Sequence, residues 1–292
     1  MSRRTPLTPL RVRDCLFDWG ARTFIMGVIN VTPDSFSGDG VNTDVEAAVS
    51  LALEFARAGV DIIDVGGEST RPGHEPVAET EELRRVVPAI AAIRRALDGV
   101  PLSVDTSKPP VAVEALSVGA DVINCVWGAI PGIVELAARS GVPLVVMHNR
   151  VNAEYDGDCV EEVIGSLTLA SRYAKEGGVA AEKIIVDPGI GFGKTPDHNV
   201  EIIARLNEFV ERLPFPLLIG LSRKSFIGAI TGLPVEERAF GTAAAVALSI
   251  AAGADIVRVH DVREMRAVVD VADAICRVGA ARAPQRFTPR PV

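Results

Sequence analysis

The chain has 292 residues, of which 48% are hydrophobic and 5% aromatic, and its formal net charge is −8. That acidic balance argues against a nucleic-acid-binding surface, which usually needs a basic patch. No segment reaches the unbroken apolar length of a membrane span, and the basic start lacks the apolar stretch of a secretory signal. We therefore expect neither nucleic acid nor a membrane as a partner, and an anionic ligand must meet local Arg and Lys side chains.

The cysteines and histidines carry no metal or disulfide pattern. The four cysteines, Cys15, Cys125, Cys159 and Cys276, lie far apart and form no CxxC pair. The chain is too long to need a disulfide framework, and its four scattered histidines do not have the spacing of a zinc site. We therefore expect a cytoplasmic protein with free thiols.

Short β-rich runs alternate with amphipathic helical segments along the chain. We count eight such units, and most of the strands are apolar on both faces, as covered parallel strands should be. The predicted strands cover 23–29, 61–66, 102–105, 121–124, 143–148, 183–187, 217–220 and 255–260. The predicted helices cover 44–58, 79–97, 109–118, 131–140, 158–177, 197–212, 237–253 and 262–278, with Asp44 and Thr80 expected as N-caps.

Eight βα units predict an α/β fold, a closed (β/α)8 TIM barrel rather than an open sheet. No linker rich in Ser, Pro or Gly interrupts the pattern, so we assign a single barrel domain to 23–279. Residues 1–22 form an N-terminal extension and 280–292 a C-terminal tail. Both ends are rich in Arg and Pro, and we expect them to be loosely ordered or packed at an edge.

In such barrels the active site lies at the C-terminal ends of the strands and in the loops that follow. Four polar residues stand inside those strand ends: Asp105, Asn124, Asp187 and Arg258. Each should point inward or upward, where a buried polar group without a partner costs about 1–3 kcal/mol and a ligand would remove that cost. Two carboxylates and an amide suit a planar heterocycle such as a 2-amino-4-oxopyrimidine edge.

The basic residues at the same positions suggest an anion site. Arg71, Arg258 and His260 could converge on a diphosphate, because Arg donates bidentate hydrogen bonds; the alternative is a set of structural ion pairs. Lys224 follows the seventh strand, where barrels often bind acidic groups, although a solvated lysine has the same pattern. Trp127 could flank a flat ring or belong to the core.

Six stretches carry a recognisable pattern. They are MGVINVTPDSFSGDG (26–40), DVGGESTRPG (64–73), SVDTSK (103–108), IVDPGIGFGK (185–194), LIGLSRKSFIG (218–228) and RVHDV (258–262). In order and spacing they resemble the signature blocks of the dihydropteroate synthase family, and the resemblance runs from about residue 23 to the final helix. It implies a transferase that condenses (7,8-dihydropterin-6-yl)methyl diphosphate with 4-aminobenzoate, usually as a homodimer.

The resemblance also implies roles for individual residues. The pterin would contact Asp105, Asn124, Met147, Asp187, Lys224 and Arg258. The diphosphate would contact Asn30, Thr70, Arg71, Arg258 and His260, with the cofactor Mg²⁺ near Asn30. The 4-aminobenzoate pocket would contain Phe36, Thr70, Pro72, Phe192, Lys224 and Ser225, the last at the start of a helix. The catalytic set would be Asp34, Lys224, Arg258 and His260.

Three departures from the family pattern stand out: FSGDG in the first loop where FSDGG is usual, Cys125 where an Asp is usual, and the segment after the fifth strand. Two other functions therefore stay open. One is a pterin-dependent methyltransferase, which shares the barrel and pterin site but needs no diphosphate cluster. The other is a catalytically idle pterin-binding paralogue, which the altered first loop makes conceivable.

Overall fold

The computed structural model describes residues 6–32, 41–68 and 77–277, apart from the side chains of residues 41–44. Its strands are β1 (Leu10–Val12), β2 (Cys15–Phe17), β3 (Phe24–Asn30), β4 (Ile62–Gly66), β5 (Leu102–Asp105), β6 (Val122–Cys125), β7 (Leu144–Met147), β8 (Ile184–Asp187), β9 (Leu218–Gly220) and β10 (Ile256–Val259). The last eight pair in parallel in the order β8-β7-β6-β5-β4-β3-β10-β9. A bridge between Val186 and Leu217, with Val186 N donating to Pro216 O at 3.0 Å, joins the two ends. The predicted TIM barrel is confirmed.

Helices surround this barrel. They are α1 (Val41–Arg57), α2 (Glu79–Ala96), α3 (Pro109–Ser117), α4 (Pro131–Ser140), α5 (Cys159–Glu176), α6 (Pro196–Ala204), α7 (Leu206–Arg212), α8 (Ser225–Thr231), α9 (Ala239–Ala251) and α10 (Val262–Cys276). The predicted helix 197–212 is wrong as a single element, because Arg205 has a non-helical φ of −108° and separates α6 from α7. Apolar periodicity does not predict the short helix α8.

Local sequence signals explain several helix ends. The carboxylate of Asp158 caps α5 by accepting from Val160 N at 2.8 Å, and proline occupies the first turn of α3, α4 and α6. The two predicted N-caps are wrong. Asp44 lies inside α1, and Thr80 lies inside α2, whose N-cap is Ala78.

The strands are buried on both faces, which explains their nearly continuous apolar sequences. Ile25, Ile63 and Val257 belong to a core between the barrel and its helices, whereas Met26 and Ile256 belong to a separate apolar cluster that includes the N-terminal hairpin. Every barrel strand except β5 therefore contributes residues to both apolar clusters. Among the described residues, no helix is long and apolar enough to cross a membrane.

The N-terminal hairpin β1–β2 packs against residues that begin the barrel strands. Phe17 and Trp19 stack with ring centroids 5.4 Å apart, and Phe24 at the start of β3 lies 4.8 Å from Phe17. The same cluster contains Ile62, Val122, Val145, Ile185 and Leu218. Residues 10–19 are therefore firmly packed at an edge rather than loosely ordered, and apolar side chains fill this end of the barrel, which leaves the opposite end for a polar site.

Candidate active site

The carboxyl ends of the strands bring widely separated polar residues to one mouth of the barrel. The strand register puts Asp105 beside both Gly66 and Asn124, and puts Met147 beside Asp187. Asp105, Asn124 and Asp187 are 6%, 3% and 4% exposed. The predicted burial of these polar groups at the strand ends is confirmed.

Arg258 lies at the centre of this polar cluster. Its Nε donates to Asp64 Oδ2 at 2.7 Å, and its Nη2 donates to Asp105 Oδ2 at 2.7 Å. These bonds run across the inside of the barrel, because β10 neighbours neither β4 nor β5. Burial acts to lower the pKa of Arg258, but the carboxylates of Asp64, Asp105 and Asp187 raise it above its ordinary value. The guanidinium is therefore a fixed cation with one edge engaged in structural ion pairs, while Nη1 donates to neither carboxylate.

Asp64 is the member of the cluster that sequence reasoning missed. Its side chain is fully buried, and Oδ2 accepts a hydrogen bond from Asn124 Nδ2 at 3.0 Å in addition to the one from Arg258. A charged residue in the middle of the apolar strand IIDVG is the signal that could have found it, since such a group is buried only with partners.

Asp105 and Asp187 offer acceptor atoms at the mouth. Burial raises the pKa of Asp105 above its ordinary value, although Arg258 lowers it. Asp105 Oδ1 is buried and has no hydrogen-bond partner among the described residues, so an N–H donor of a ligand would remove an energetic cost there. Burial also raises the pKa of Asp187, to about 6, while Gly189 N donates to its Oδ1 at 2.7 Å.

The glycine-rich loop after β8 packs closely on the segment after β7. Gly189 has a φ of +71°, and a Cβ there would lie 1.9 Å from the carbonyl oxygen of His148, so a larger residue does not fit. Lys194 Nζ lies 2.9 Å from His148 Nδ1 and donates to the carbonyl of Phe192 at 3.0 Å. Burial, and after it the charges of Lys194 and Arg150, lower the pKa of His148 to about 3, so a neutral imidazole accepts this bond. Burial also lowers the pKa of Lys194, to about 7. These contacts hold Phe192 in place.

Phe192, Lys224 and Ser225 share one part of the mouth. Lys224 Nζ lies 4.0 Å from the centroid of the Phe192 ring, within cation–π distance. Lys224 is the N-cap of α8 and Ser225 its first residue, as the resemblance implies. Arg223 before them adopts a left-handed φ of 56° and donates from Nε to Asp261 Oδ2 at 3.0 Å, which holds this strained turn.

His260 and Asn30 complete the described site. The backbone N of His260 donates to Ser222 Oγ at 3.2 Å, and its Nδ1 lies 3.0 Å from the same oxygen. Burial and the charges of Arg258 and Arg223 lower the pKa of His260 to about 4, so near pH 7 it offers a hydrogen bond but no charge. Asn30 is the partly exposed last residue of β3.

Part of the predicted site lies outside the described residues, and its roles stay predictions. These residues are Asp34, Phe36, Thr70, Arg71 and Pro72.

Three further predictions can be compared with the structure. Trp127 is 49% exposed and therefore does not belong to the core, whereas Met147 is buried in β7. Cys125 is fully buried, and burial raises its pKa to about 11. Its thiol is therefore protonated and inert.

A barrel that is filled by apolar side chains at one end and carries buried carboxylates, an amide and a guanidinium at the other is the arrangement of a TIM-barrel enzyme that binds a polar ligand. Comparison with known proteins agrees, because residues 26–260 match the family model described as pterin binding enzyme.

The chain is also similar to individual proteins along most of its length. It is 46% identical to the dihydropteroate synthase of Synechocystis sp. over 279 residues, which is 92% of this chain and 96% of that protein. A dihydropteroate synthase structure from Clostridium difficile in the presence of pteroic acid superposes with a TM-score of 0.86 and 44% identity, covering 89% of this chain and 99% of that one. The Xanthomonas albilineans dihydropteroate synthase with 4-aminobenzoic acid gives a TM-score of 0.85 and 42% identity, covering 90% and 97%. The chain belongs to the dihydropteroate synthase family.

Proposed function

We propose that the chain is a transferase that condenses (7,8-dihydropterin-6-yl)methyl diphosphate with 4-aminobenzoate to give 7,8-dihydropteroate and diphosphate in folate biosynthesis. The observation that carries the proposal is the buried cluster of Asp105, Asn124 and Asp187 with Arg258 at one mouth of the barrel. The relatives whose structures were determined with pteroic acid and with 4-aminobenzoic acid support binding of a pterin compound and of the arylamine, respectively.

Hydrogen-bond acceptors of the protein would recognise the pterin. A 2-amino-4-oxo pterin presents adjacent N–H groups along its edge, and ionised carboxylates accept them in pairs. Asp105 Oδ1 is a buried acceptor in need of such a donor. Met147, next to Asp187 in the strand register, would cover one face of the ring, and Lys224 would complete the binding set.

The diphosphate would lie beside Arg258 and His260, with Asn30, Thr70 and Arg71 around it. Arg258 supplies a fixed positive charge, because two carboxylates hold its side chain across the barrel. His260 supplies a hydrogen bond, because its lowered pKa of about 4 keeps it neutral at physiological pH. Such preorganised groups stabilise the charge that develops as the diphosphate leaves.

The arylamine would bind next to the loop after β8. Phe192 and Lys224 are in contact, and their aromatic and cationic groups suit the ring and the carboxylate of 4-aminobenzoate. Ser225 follows Lys224 at the start of α8. The remaining predicted contacts are Phe36, Thr70 and Pro72.

In the reaction, the C–O bond to the diphosphate breaks and leaves positive charge on the pterin methylene carbon, which Asp34 would help to stabilise. The aniline nitrogen then forms the new C–N bond and loses a proton. No covalent enzyme intermediate is needed, so positioning and electrostatics carry the catalysis.

Mg²⁺ is the cofactor that we propose, held by Asn30. Mg²⁺ takes oxygen ligands and usually keeps several waters and substrate phosphates rather than an all-protein cage. Asn30 can offer an amide oxygen, and the described residues contain no group of three or more His, Cys, Asp or Glu that could form such a cage. When bound, the ion would neutralise charge on the diphosphate.

We also propose a homodimer, built on the outer face of α9 and α10. Phe240 and Leu248 on α9 are 90% and 64% exposed, and Val271 and Ile275 on α10 are 61% and 70% exposed. Each pair has helical spacing, and the two helices lie side by side. A patch of this kind is typical of a surface that a second copy covers. We further propose a cytoplasmic location, which the four free cysteines support.

A steady-state assay of diphosphate release tests the proposal. Release should require both the dihydropterin diphosphate and 4-aminobenzoate. A pterin-dependent methyltransferase or an idle paralogue would bind a pterin but release no diphosphate, and either result would contradict the proposed reaction.

A further inference from the structure

Asp64 is a buried carboxylate at this mouth that the proposed mechanism does not use. Its Oδ2 accepts from Arg258 Nε at 2.7 Å and from Asn124 Nδ2 at 3.0 Å, and no part of its side chain is exposed. It therefore touches two of the groups that would bind the pterin. Its own Oδ1 is buried without a hydrogen-bond partner among the described residues.

We propose that Asp64 is a positioning residue that sets the orientation of the Asn124 amide and of the Arg258 guanidinium for pterin binding. The inference rests on the proposed function, because it deepens the account of the same site.

The orientation of Asn124 follows from charge. An ionised carboxylate only accepts hydrogen bonds, so Asn124 must turn its NH₂ group toward Asp64. Its carbonyl oxygen then points away from Asp64 and can act as a hydrogen-bond acceptor beside Asp105, the register partner of Asn124. Without the carboxylate, the amide is free to rotate by half a turn and would present a donor to the N–H groups of the ligand.

The orientation of Arg258 follows from geometry. A guanidinium is planar, and two hydrogen bonds from Nε and Nη2 to separate carboxylates fix that plane. Without the bond to Asp64, only the bond to Asp105 holds the guanidinium, which can then rotate about it. The face and the Nη1 edge of the guanidinium would then lose their fixed direction.

Asp64 also changes the electrostatics of Asp105. The charged groups that act on Asp105 are Asp64 on β4, Arg258 on β10, Glu82 on α2 and Lys224 before α8. After burial and Arg258, Asp64 is the next largest influence, and its charge raises the pKa of Asp105. A neutral residue at position 64 therefore lowers the pKa of Asp105. The acid limb of pterin binding, which is the pH range in which affinity falls as Asp105 becomes protonated, should then move to lower pH.

The same strand offers a matched control. Asp61 stands just before β4 at the hairpin end of the barrel, where it is 8% exposed and accepts from Arg22 Nη1 at 3.0 Å and Ile25 N at 2.8 Å. Asp61→Asn and Asp64→Asn each neutralise one buried carboxylate, at opposite ends of the barrel. Effects on the pterin site that follow from general destabilisation should appear in both.

The experiment is calorimetric titration of the wild type, Asp64→Asn, Asp64→Ser and Asp61→Asn with the dihydropterin diphosphate at several pH values, together with kcat, KM and Tm. We expect Asp64→Asn to weaken pterin affinity about tenfold, the loss expected for a hydrogen bond to a charged group, while the KM for 4-aminobenzoate stays within about threefold. We expect its acid limb to move to lower pH and Asp61→Asn to keep wild-type affinity. Asp64→Ser supplies the same comparison if Asp64→Asn does not fold.

Wild-type pterin affinity and an unmoved acid limb in a folded Asp64 variant would overturn the inference, as would equal losses of affinity in the Asp61 and Asp64 variants. Failure of the proposed function is a different result, because there the wild type itself would release no diphosphate.

Discussion

Arg258 on the last barrel strand and Asp64 on the second are joined by an Nε to Oδ2 hydrogen bond of 2.7 Å, although 194 positions separate them in the sequence. With Asp105 they form a buried triad that spans the barrel. The residue expected to face a diphosphate is thus also part of the internal structure, and this changes how its substitutions should be designed.

Arg258→Ala is expected to destabilise the fold as well as abolish turnover. The change leaves Asp64 and Asp105 buried without their cation, at a cost of about 3–5 kcal/mol in the free energy of unfolding. Arg258→Lys keeps the charge but loses the paired hydrogen bonds from Nε and Nη2, so it should retain more stability and still lose activity. Denaturant unfolding and diphosphate release check both changes, and a fully active Arg258→Lys would contradict the assigned role.

The pH dependence of pterin binding should report Asp105 and Asp187 together, because burial raises the pKa of both carboxyls. The pKa of Asp187 is raised to about 6, and the ionised form is the acceptor that a pterin N–H needs. As pH falls through about 6 the carboxyl becomes protonated, so kcat/KM for the pterin substrate should fall, approaching tenfold per pH unit well below that value. Asp187→Asn imitates the neutral form and should lack activity at every pH. A flat profile between pH 5 and 8 would count against this assignment.

Phe192→Ala should act mainly on the second substrate. The change removes the ring that contacts Lys224, and the KM for 4-aminobenzoate should rise by about tenfold, the equivalent of one aromatic contact. Pterin affinity should change little. Tyr155→Phe is the control, because it removes a hydroxyl that donates to Gly193 O at 3.0 Å in the same loop and keeps the Phe192 ring. A larger effect from the control than from Phe192→Ala would reject this wall of the pocket.

The hairpin should support stability and not activity. Phe17 is 1% exposed and packs on Trp19 and Phe24, so Phe17→Ala should lower the free energy of unfolding by about 3–5 kcal/mol. Its neighbour Leu16 is 47% exposed, and Leu16→Ala should change that energy by less than about 0.5 kcal/mol. Substrate KM values should match the wild type in both. Chemical denaturation of the two variants, side by side, makes the comparison, and equal stabilities would show that the hairpin adds nothing.

The proposed dimer face should be sensitive to charge. Leu248→Glu places a carboxylate in the apolar face of α9, so analytical ultracentrifugation should show a monomer where the wild type shows a dimer. Leu169 on α5 is similarly exposed at 58%, and Leu169→Glu should leave the dimer unchanged. A wild-type protein that sediments as a monomer would remove the proposal.

The barrel could be predicted from the sequence because its strands are short apolar runs with helices between them. The predicted strand 255–260 contains the observed Ile256–Val259, for example, and each of the eight barrel strands agrees to within two residues at either end. The hairpin could not be predicted in this way. Its strands have three residues each, and their apolar side chains make sense only against a barrel end that is distant in sequence.

The site was predictable in its residue types and less so in its contacts. Asp105, Asn124 and Asp187 stand out because they interrupt apolar strand ends. The partners of Arg258 depend on which strands face each other across the barrel, and this information is not local. Asp64 shows the difference, since its charge is visible in the strand IIDVG but its two partners are visible only in the fold.

The most direct test of the account is calorimetric titration of the wild type and of Asp187→Ala with the dihydropterin diphosphate. The account predicts that this substrate binds one site per chain in the wild type and does not bind Asp187→Ala. Undiminished pterin binding by Asp187→Ala would contradict the claim that the buried cluster at the barrel mouth holds the pterin.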